Sequence, residues 1–311
     1  MKLLSIRKGY RNILGIGTDN GIIDIEEDIQ GNTEWRNVPL TVMEVIHGGE
    51  EALQRLKQFV RHLESGREGT TSTTSYLVDK NTMKWGPCVT EPGKIICVGL
   101  NYRKHAIETG LPIPKVPILF NKFNNSLSAH GDAILIPQMA KEVDYEVELA
   151  IVIGKTGKDL TVTEALDYVF GYCTANDVSA RDLQLKTPQW MLGKTCDGFC
   201  PLGPYLVTAD EVGDPNKLGL RTYVNNEIRQ QSNTEDMVFH CNEIISYVSK
   251  HMTLSPGDVI LTGTPEGVIM GYPPEKQIYL KDGDKVSVEI EKLGTLTNTF
   301  RLFALLDGQE Q

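Results

Sequence analysis

The 311-residue sequence lacks any apolar run near the roughly 18 residues that a membrane helix needs. It lacks a basic run, and its formal charge is -10, so a nucleic-acid surface, which gathers Lys and Arg on one face, is not expected. It also lacks a cysteine framework. Cys88, Cys97, Cys173, Cys196, Cys200 and Cys241 are scattered, and the Cys196/Cys200 pair has no second Cys or His pair to complete a zinc site. Reduced thiols packed as small apolar groups are the expectation. No repeat or low-complexity segment is present, and the N-terminal segment has no apolar stretch long enough for a secretory signal. Lys2, Arg7, Lys8 and Arg11, with no acid before Asp19, have the character of a mitochondrial presequence, but the strand-like repeats around Gly9, Gly15 and Gly17 suit the opening strands of a domain. A cytoplasmic protein is expected, with the mitochondrial matrix as the alternative.

What is present is an ordinary globular composition at a length that suits two domains. Residues 1–85 predict a small strand/helix domain. Short alternating segments (KLLSIRK, NILGIG, GIIDI) are followed by a capping box at Thr41 and Glu44, an amphipathic helix over 50–65 and a closing strand at 74–80. After a Pro/Gly-containing linker, residues 90–311 are strand-rich (KIICVGL, VPILF, VELAIVIG, YVFGYCTAN, DVILTG). Helices fit only around KHAIETG, TVTEALDYV and NEIISYVSKHM. The predicted class is α+β and β-dominated, a mixed β-roll or barrel with a small α/β N-terminal domain.

The stretch VDYEVELAIVIGKTG reads as one strand, yet it places Asp144, Glu146 and Glu148 on one face. Carboxylates two residues apart on a strand are separated by roughly 6.5 Å and can converge on a hard cation such as Mg²⁺, Mn²⁺ or Ca²⁺. The alternative is a solvated face, but that face turns apolar at Ala150 and Val152, and buried carboxylates need a cation or other partners. Asp144, one step outward, is expected to be a supporting or solvated acid. Asp177, at the end of an apolar segment, is either a third oxygen ligand or a helix N-cap for SARDLQ. Arg181 suits a substrate carboxylate, because its planar fork binds carboxylates through two nitrogens. His105 and Glu108 are three apart, as a base steered by a carboxylate would be on a helix, or as a surface pair would be. Lys194 lies in a segment too apolar for a solvated lysine. The loop LTGTPEGV offers hydroxyls and N–H groups to an anionic oxygen, or is a plain turn.

Five motifs in register resemble the fumarylacetoacetate hydrolase family: G-x-N-Y-x-x-H-x-x-E, Y-E-x-E-L-A-x-V-I-G, N-D-V-S-A-R-D-x-Q, G-K-x-x-D-x-F-C-P-L-G-P and T-G-T-P-x-G-V, running from about Lys94 to Phe300. The segment Ser232 to Phe239 is similar to that of the branch with an added N-terminal domain. The resemblance implies a homodimer and a Mg²⁺ or Mn²⁺ ion held by Glu146, Glu148 and Asp177. It implies a His105–Glu108 dyad on a lid, Lys194 as a catalytic lysine, and Arg181, Gln184 and Thr264 as substrate contacts. Cys196 and Gly198 depart from the Phe and Thr common among relatives, and Asn225-Asn226 replaces an Asn-Gly turn. The substrate expected is a small 2-oxo or 2,4-dioxo acid. Hydrolysis of a C–C bond in an acylpyruvate is the first expectation; oxaloacetate keto–enol tautomerisation or decarboxylation is the alternative. A silent paralogue with a structural metal is the third reading. Retention of His105, Glu108 and Lys194 speaks against it, since metal binding needs none of them.

Overall fold

The computed structural model describes residues 1–29, 34–67 and 77–303. Lys2–Lys8 and Arg11–Thr18 form an antiparallel hairpin, and Gly21–Asp24 extends it. Three of the basic residues of this segment are partnered within the fold: Arg7 with Asp132, Lys8 with Asp24 and Glu27, Arg11 with Glu26. Thr41 accepts the Glu44 N–H and Glu44 accepts the Leu40 N–H, which opens the helix Val42–Arg67. The turn opened by the capping box and the expected amphipathic helix are joined in that element across a kink at Gly49, where φ is positive (57°). The strand expected over 74–80 is described only as Leu77–Val78, and residues 304–311 lie outside the described residues.

Among the described residues the strands form an eleven-stranded sheet, a five-stranded sheet and two small pairs. The large sheet runs from Leu77–Val78 through the N-terminal hairpin to Leu206–Thr208, then Val169–Asn176, Val147–Ile153, Val259–Leu261, Ile95–Gly99 and Ile118–Lys122. Lys2–Lys8 pairs directly with Leu206–Thr208, so the N-terminal strands share a sheet with the remainder. The α+β, β-dominated class is as expected, and the large sheet is open rather than closed into a barrel. Most pairings are antiparallel; Val259–Leu261 with Ile95–Gly99, Gly294–Leu302 with Ala133–Ile136, and Cys200–Pro201 with Leu127–Ser128 are parallel.

Val147–Ile153 is central and wholly buried. Its alternate residues face two cores. Val147, Leu149, Ile151 and Ile153 pack with the five-stranded sheet and the helix Cys241–His251. Ala150 and Val152 pack with the helix Val42–Arg67. Burying each large aliphatic side chain contributes about 1.5–3 kcal/mol. Both faces covered is what a near-continuous apolar run encodes.

Two sequence expectations change. VDYEVELAIVIGKTG is not one strand: Val143–Asp144 pairs with Ser179–Ala180, and the ladder resumes only at Val147. At the break, the Glu146 N–H donates to the Asn176 side chain instead of a strand neighbour. The helix expected in TVTEALDYV shortens to a 3-10 turn, Ala165–Tyr168, because the chain enters the strand Val169–Asn176 immediately afterwards. The Asn225-Asn226 turn forms with positive φ at both residues, 51° and 70°. No helix among the described residues is long and apolar enough to cross a membrane. All six cysteines are free, and only Cys196 is not fully buried.

Candidate active site

The break at Tyr145–Glu146 and the neighbouring strand ends bring three carboxylates together. Glu148 lies on Val147–Ile153, opposite Ala175, and Asp177 follows the last residue of the partner strand. One oxygen each of Glu146, Glu148 and Asp177 lies within 4.8 Å of the other two, and all three residues are buried. Three cations surround them. The Lys194 ammonium donates to Glu146 Oε2 and Asp177 Oδ2, both at 2.7 Å, and Lys122 donates to Asp177 Oδ1. Arg181 Nη2 donates to Glu146 Oε1 at 2.7 Å.

These contacts divide the carboxylates. Burial raises the Glu146 pKa, but Lys194 and Arg181 outweigh it and hold this carboxyl well below the usual range. Glu148 has no such ion pair. Burial, then Asp177 and Glu146, push its pKa well above the ordinary value, against Lys194 and the Gly263 N–H. The Lys194 ammonium is disfavoured by burial but held protonated by Asp177 and Glu146. Four carboxyl groups, counting Asp144, thus face Lys122, Lys194 and Arg181, and Glu148 is the one without an ion-pair partner; ionised, it would leave a surplus of one negative charge. An all-oxygen donor set with surplus negative charge fits a hard divalent cation.

Asp144 is fully buried, not solvated. Its oxygens accept the N–H groups of Tyr145, Ile269 and Met270, and Arg181 at 2.9 Å. Arg181 therefore spends Nε and Nη2 on Asp144 and Glu146, and Nη1 on Gln184 Oε1 at 3.0 Å. The N-cap alternative for Asp177 is not realised: the helix Arg181–Gln184 begins after Ala180, with no side-chain cap.

The opposite side of the site is the helix Arg103–Glu108. His105 Nδ1 lies 3.2 Å from Glu108 Oε2, and because a carboxylate only accepts, Nδ1 carries a hydrogen; in the neutral imidazole the lone pair is then on Nε2. The loop LTGTPEGV supplies N–H groups to anionic oxygens, as its composition suggested, but these are the protein's own. The Gly263 N–H donates to Glu148 at 2.7 Å and the Gly267 N–H to Glu108 at 2.9 Å. Gly263 adopts φ +98°, and a Cβ there would lie 2.8 Å from Asn101 Cβ, so only glycine serves. Thr264 accepts from Gln230 Nε2 at 2.9 Å, and Gln230 also holds Val147 and Thr222.

His105, Glu146, Glu148, Arg181, Gln184, Lys194 and Thr264 line one cavity of about 90 Å³, walled by Phe120, Trp190, Leu111 and Leu185. Glu108 and Asp177 stand behind it. A larger cavity of about 530 Å³, beside Ile95–Ile96 and Leu119–Asn124, contains none of the predicted site residues. Convergent polar groups, not size, identify the smaller one as the site. Sequence reasoning missed Lys122, Gln230 and Trp190. The signal for Lys122 was a lone lysine ending the apolar segment VPILFNK.

The family described as Fumarylacetoacetate (FAA) hydrolase C-terminal matches residues 94–301. The chain is 45% identical over 265 residues to oxaloacetate tautomerase fahd2, mitochondrial, of Xenopus laevis, covering 84% of this chain and 79% of that one. Among solved structures, fumarylacetoacetate hydrolase from Exiguobacterium antarcticum is 34% identical with a TM-score of 0.79, covering 97% of this chain and 99% of that one. Maleylpyruvate hydrolase from Sphingobium sp. SYK-6, in complex with manganese(II) ion and pyruvate, is 28% identical with a TM-score of 0.73, covering 97% of this chain and 99% of that one. The motifs, the open β-dominated fold and these likenesses agree: the chain belongs to the fumarylacetoacetate hydrolase family.

Proposed function

We propose that this protein is a divalent-metal-dependent oxaloacetate keto–enol tautomerase. The observation that carries this reading is the small size of the cavity in which His105, Lys194 and the three carboxylates converge, about 90 Å³. Sites for drug-sized ligands run from roughly 300 to 1,000 Å³. A four-carbon dicarboxylic acid suits such a cavity better than an acylpyruvate that must share it with an attacking water. The name of the Xenopus laevis relative points the same way. Tautomerisation is therefore placed ahead of C–C hydrolysis, the first expectation from sequence.

Glu146, Glu148 and Asp177 would hold Mg²⁺ or Mn²⁺, and the manganese and pyruvate of the Sphingobium structure support a divalent ion and a 2-oxo acid ligand. A bound ion would supply Lewis-acid polarisation of the keto oxygen, which acidifies the adjacent carbon. His105 Nε2, its other nitrogen fixed by Glu108, takes a proton from that carbon. The C–H electron pair becomes the C=C bond as the keto C=O pair moves to oxygen. Lys194, held as an ammonium, balances the charge that develops there. Proton delivery to oxygen gives the enol; return to carbon gives the keto form. Arg181 positions Glu146, and Gln184 and Thr264 are the proposed substrate contacts.

The relative's name also carries a mitochondrial location, which we adopt for this chain in place of the cytoplasmic expectation; fractionation of the tagged protein checks it. A homodimer is the proposed assembly, checked by light scattering. The activity test compares enol-to-keto conversion of oxaloacetate, with Mg²⁺, against a metal-only control and against acetylpyruvate hydrolysis. Acceleration of the first alone supports the reading; hydrolysis alone overturns it.

A further inference from the structure

We propose that Trp190, seated in the notch left by Gly99, is the residue that limits substrate length in this site. The inference rests on the tautomerase reading for its natural substrate and on geometry for the limit itself. Trp190 immediately precedes the helix Met191–Lys194, so its indole is placed by the same element that delivers the catalytic lysine. Gly99 ends the strand Ile95–Gly99 and lines the same cavity beside the indole. A Cβ at Gly99 would stand 2.5 Å and 2.8 Å from two ring carbons of Trp190, closer than real side chains approach. The indole therefore occupies space that any other residue at 99 would claim.

The packing continues inward. Trp190 meets Phe120 edge-on, with centroids 5.3 Å apart and planes at 69°. Phe120 in turn lies under the Lys194 ammonium, which is 5.0 Å from its ring centre. All four residues line the cavity. A half-buried ring packed between a strand end and a second aromatic resists a longer substrate tail, whereas Leu111 and Leu185, both exposed, stand at the rim. An apolar wall gains or loses about 10–200-fold in discrimination per methylene-sized change. Removing an indole should exceed the lower end of that range.

The test is a double-mutant cycle on the Mn²⁺-loaded protein. Trp190→Ala, with Trp190→Phe as the milder truncation, is combined with Gly99→Ala. Calorimetry measures pyruvate and phenylpyruvate binding, and turnover is followed on oxaloacetate. Trp190→Ala is expected to shift the phenylpyruvate-to-pyruvate affinity ratio upward by about tenfold or more. Trp190→Phe should shift it in the same direction by less. Gly99→Ala, which pushes the indole into the cavity, should lower oxaloacetate kcat/KM by about tenfold, and adding Trp190→Ala should restore most of it. An unchanged affinity ratio in both Trp190 variants, or no rescue in the double variant, overturns the proposal. Wild type that shows the size dependence but no tautomerisation would leave the length limit standing and refute the tautomerase reading instead.

Discussion

Glu146, Glu148 and Asp177 are set on or beside the two central strands; three buried cations grip Glu146 and Asp177, and the Gly263 N–H holds Glu148, while His105 sits across the cavity on a six-residue helix. The floor is held by ion pairs and this hydrogen bond in a region of low exposure. The arm that carries His105 is tied by hydrogen bonds rather than by buried ion pairs: Glu108 to Gly267, Asn101 to Phe239 and Thr262, Arg103 to Asp236 and Met237, and Lys104 to Asp236. Around it Ile107, Leu111 and Ile113 are exposed. In the proposed mechanism cation binding belongs to the ion-paired floor and proton transfer to the hydrogen-bonded arm. Rigid placement suits a metal site, whose ligands must hold their geometry. An arm flanked by exposed side chains suits a side that must admit substrate.

The comparison breaks most visibly at Glu148. Glu148→Ala removes one of the three proposed ligands and should cost metal binding and all turnover, a loss beyond the 10–100-fold typical of merely supporting residues. Titration calorimetry with Mn²⁺ and the tautomerase assay check it; retained turnover would place the chemistry elsewhere. Next comes Lys122→Met, which leaves Asp177 buried with Lys194 alone. Breaking a buried pair from one side costs about 3–5 kcal/mol, so urea unfolding of the metal-free protein should show a loss of that order. Added Mg²⁺ should recover part of it, since the ion replaces the missing positive charge.

The smallest effect expected is in pH. Glu148 has a folded pKa raised above its ordinary 4.5, so it binds its proton more tightly folded than unfolded. Its contribution to metal-free stability is present below pH 4.5 and is lost as pH rises through the folded value. Glu146 has the opposite sign: its pKa is depressed, so its contribution is present above 4.5 and is lost as pH falls. A divalent ion competes with the proton on Glu148. The rise in melting temperature on adding Mg²⁺ should therefore grow with pH above 4.5, and a rise independent of pH would remove Glu148 from the ligand set.

Much of the site was legible because its signals are local. Glu146 and Glu148 stand out as acids two apart against an apolar strand, and His105 and Glu108 as a pair three apart. Asp177 was legible as an acid at a strand end, but not its choice between ligand and cap, which depends on Lys122, 55 residues away. The strand break at Tyr145–Glu146 was hidden because the apolar alternation runs through it; the sheet stops there because Ser179–Ala180 captures Val143–Asp144. Asp144 was read as an outer acid because nothing in its neighbourhood announces Arg181 or the N–H groups of Ile269 and Met270. Trp190 and Gly99 lie 91 positions apart, and their complementarity exists only in three dimensions.

The division between floor and arm is tested most directly with His105→Ala, measured for Mn²⁺ affinity and for oxaloacetate tautomerisation on the same preparation. The account predicts an affinity within about twofold of wild type, together with a rate loss of about 10²–10⁴, the range for removing a general base. Full turnover in His105→Ala, or loss of the metal along with the rate, would contradict it.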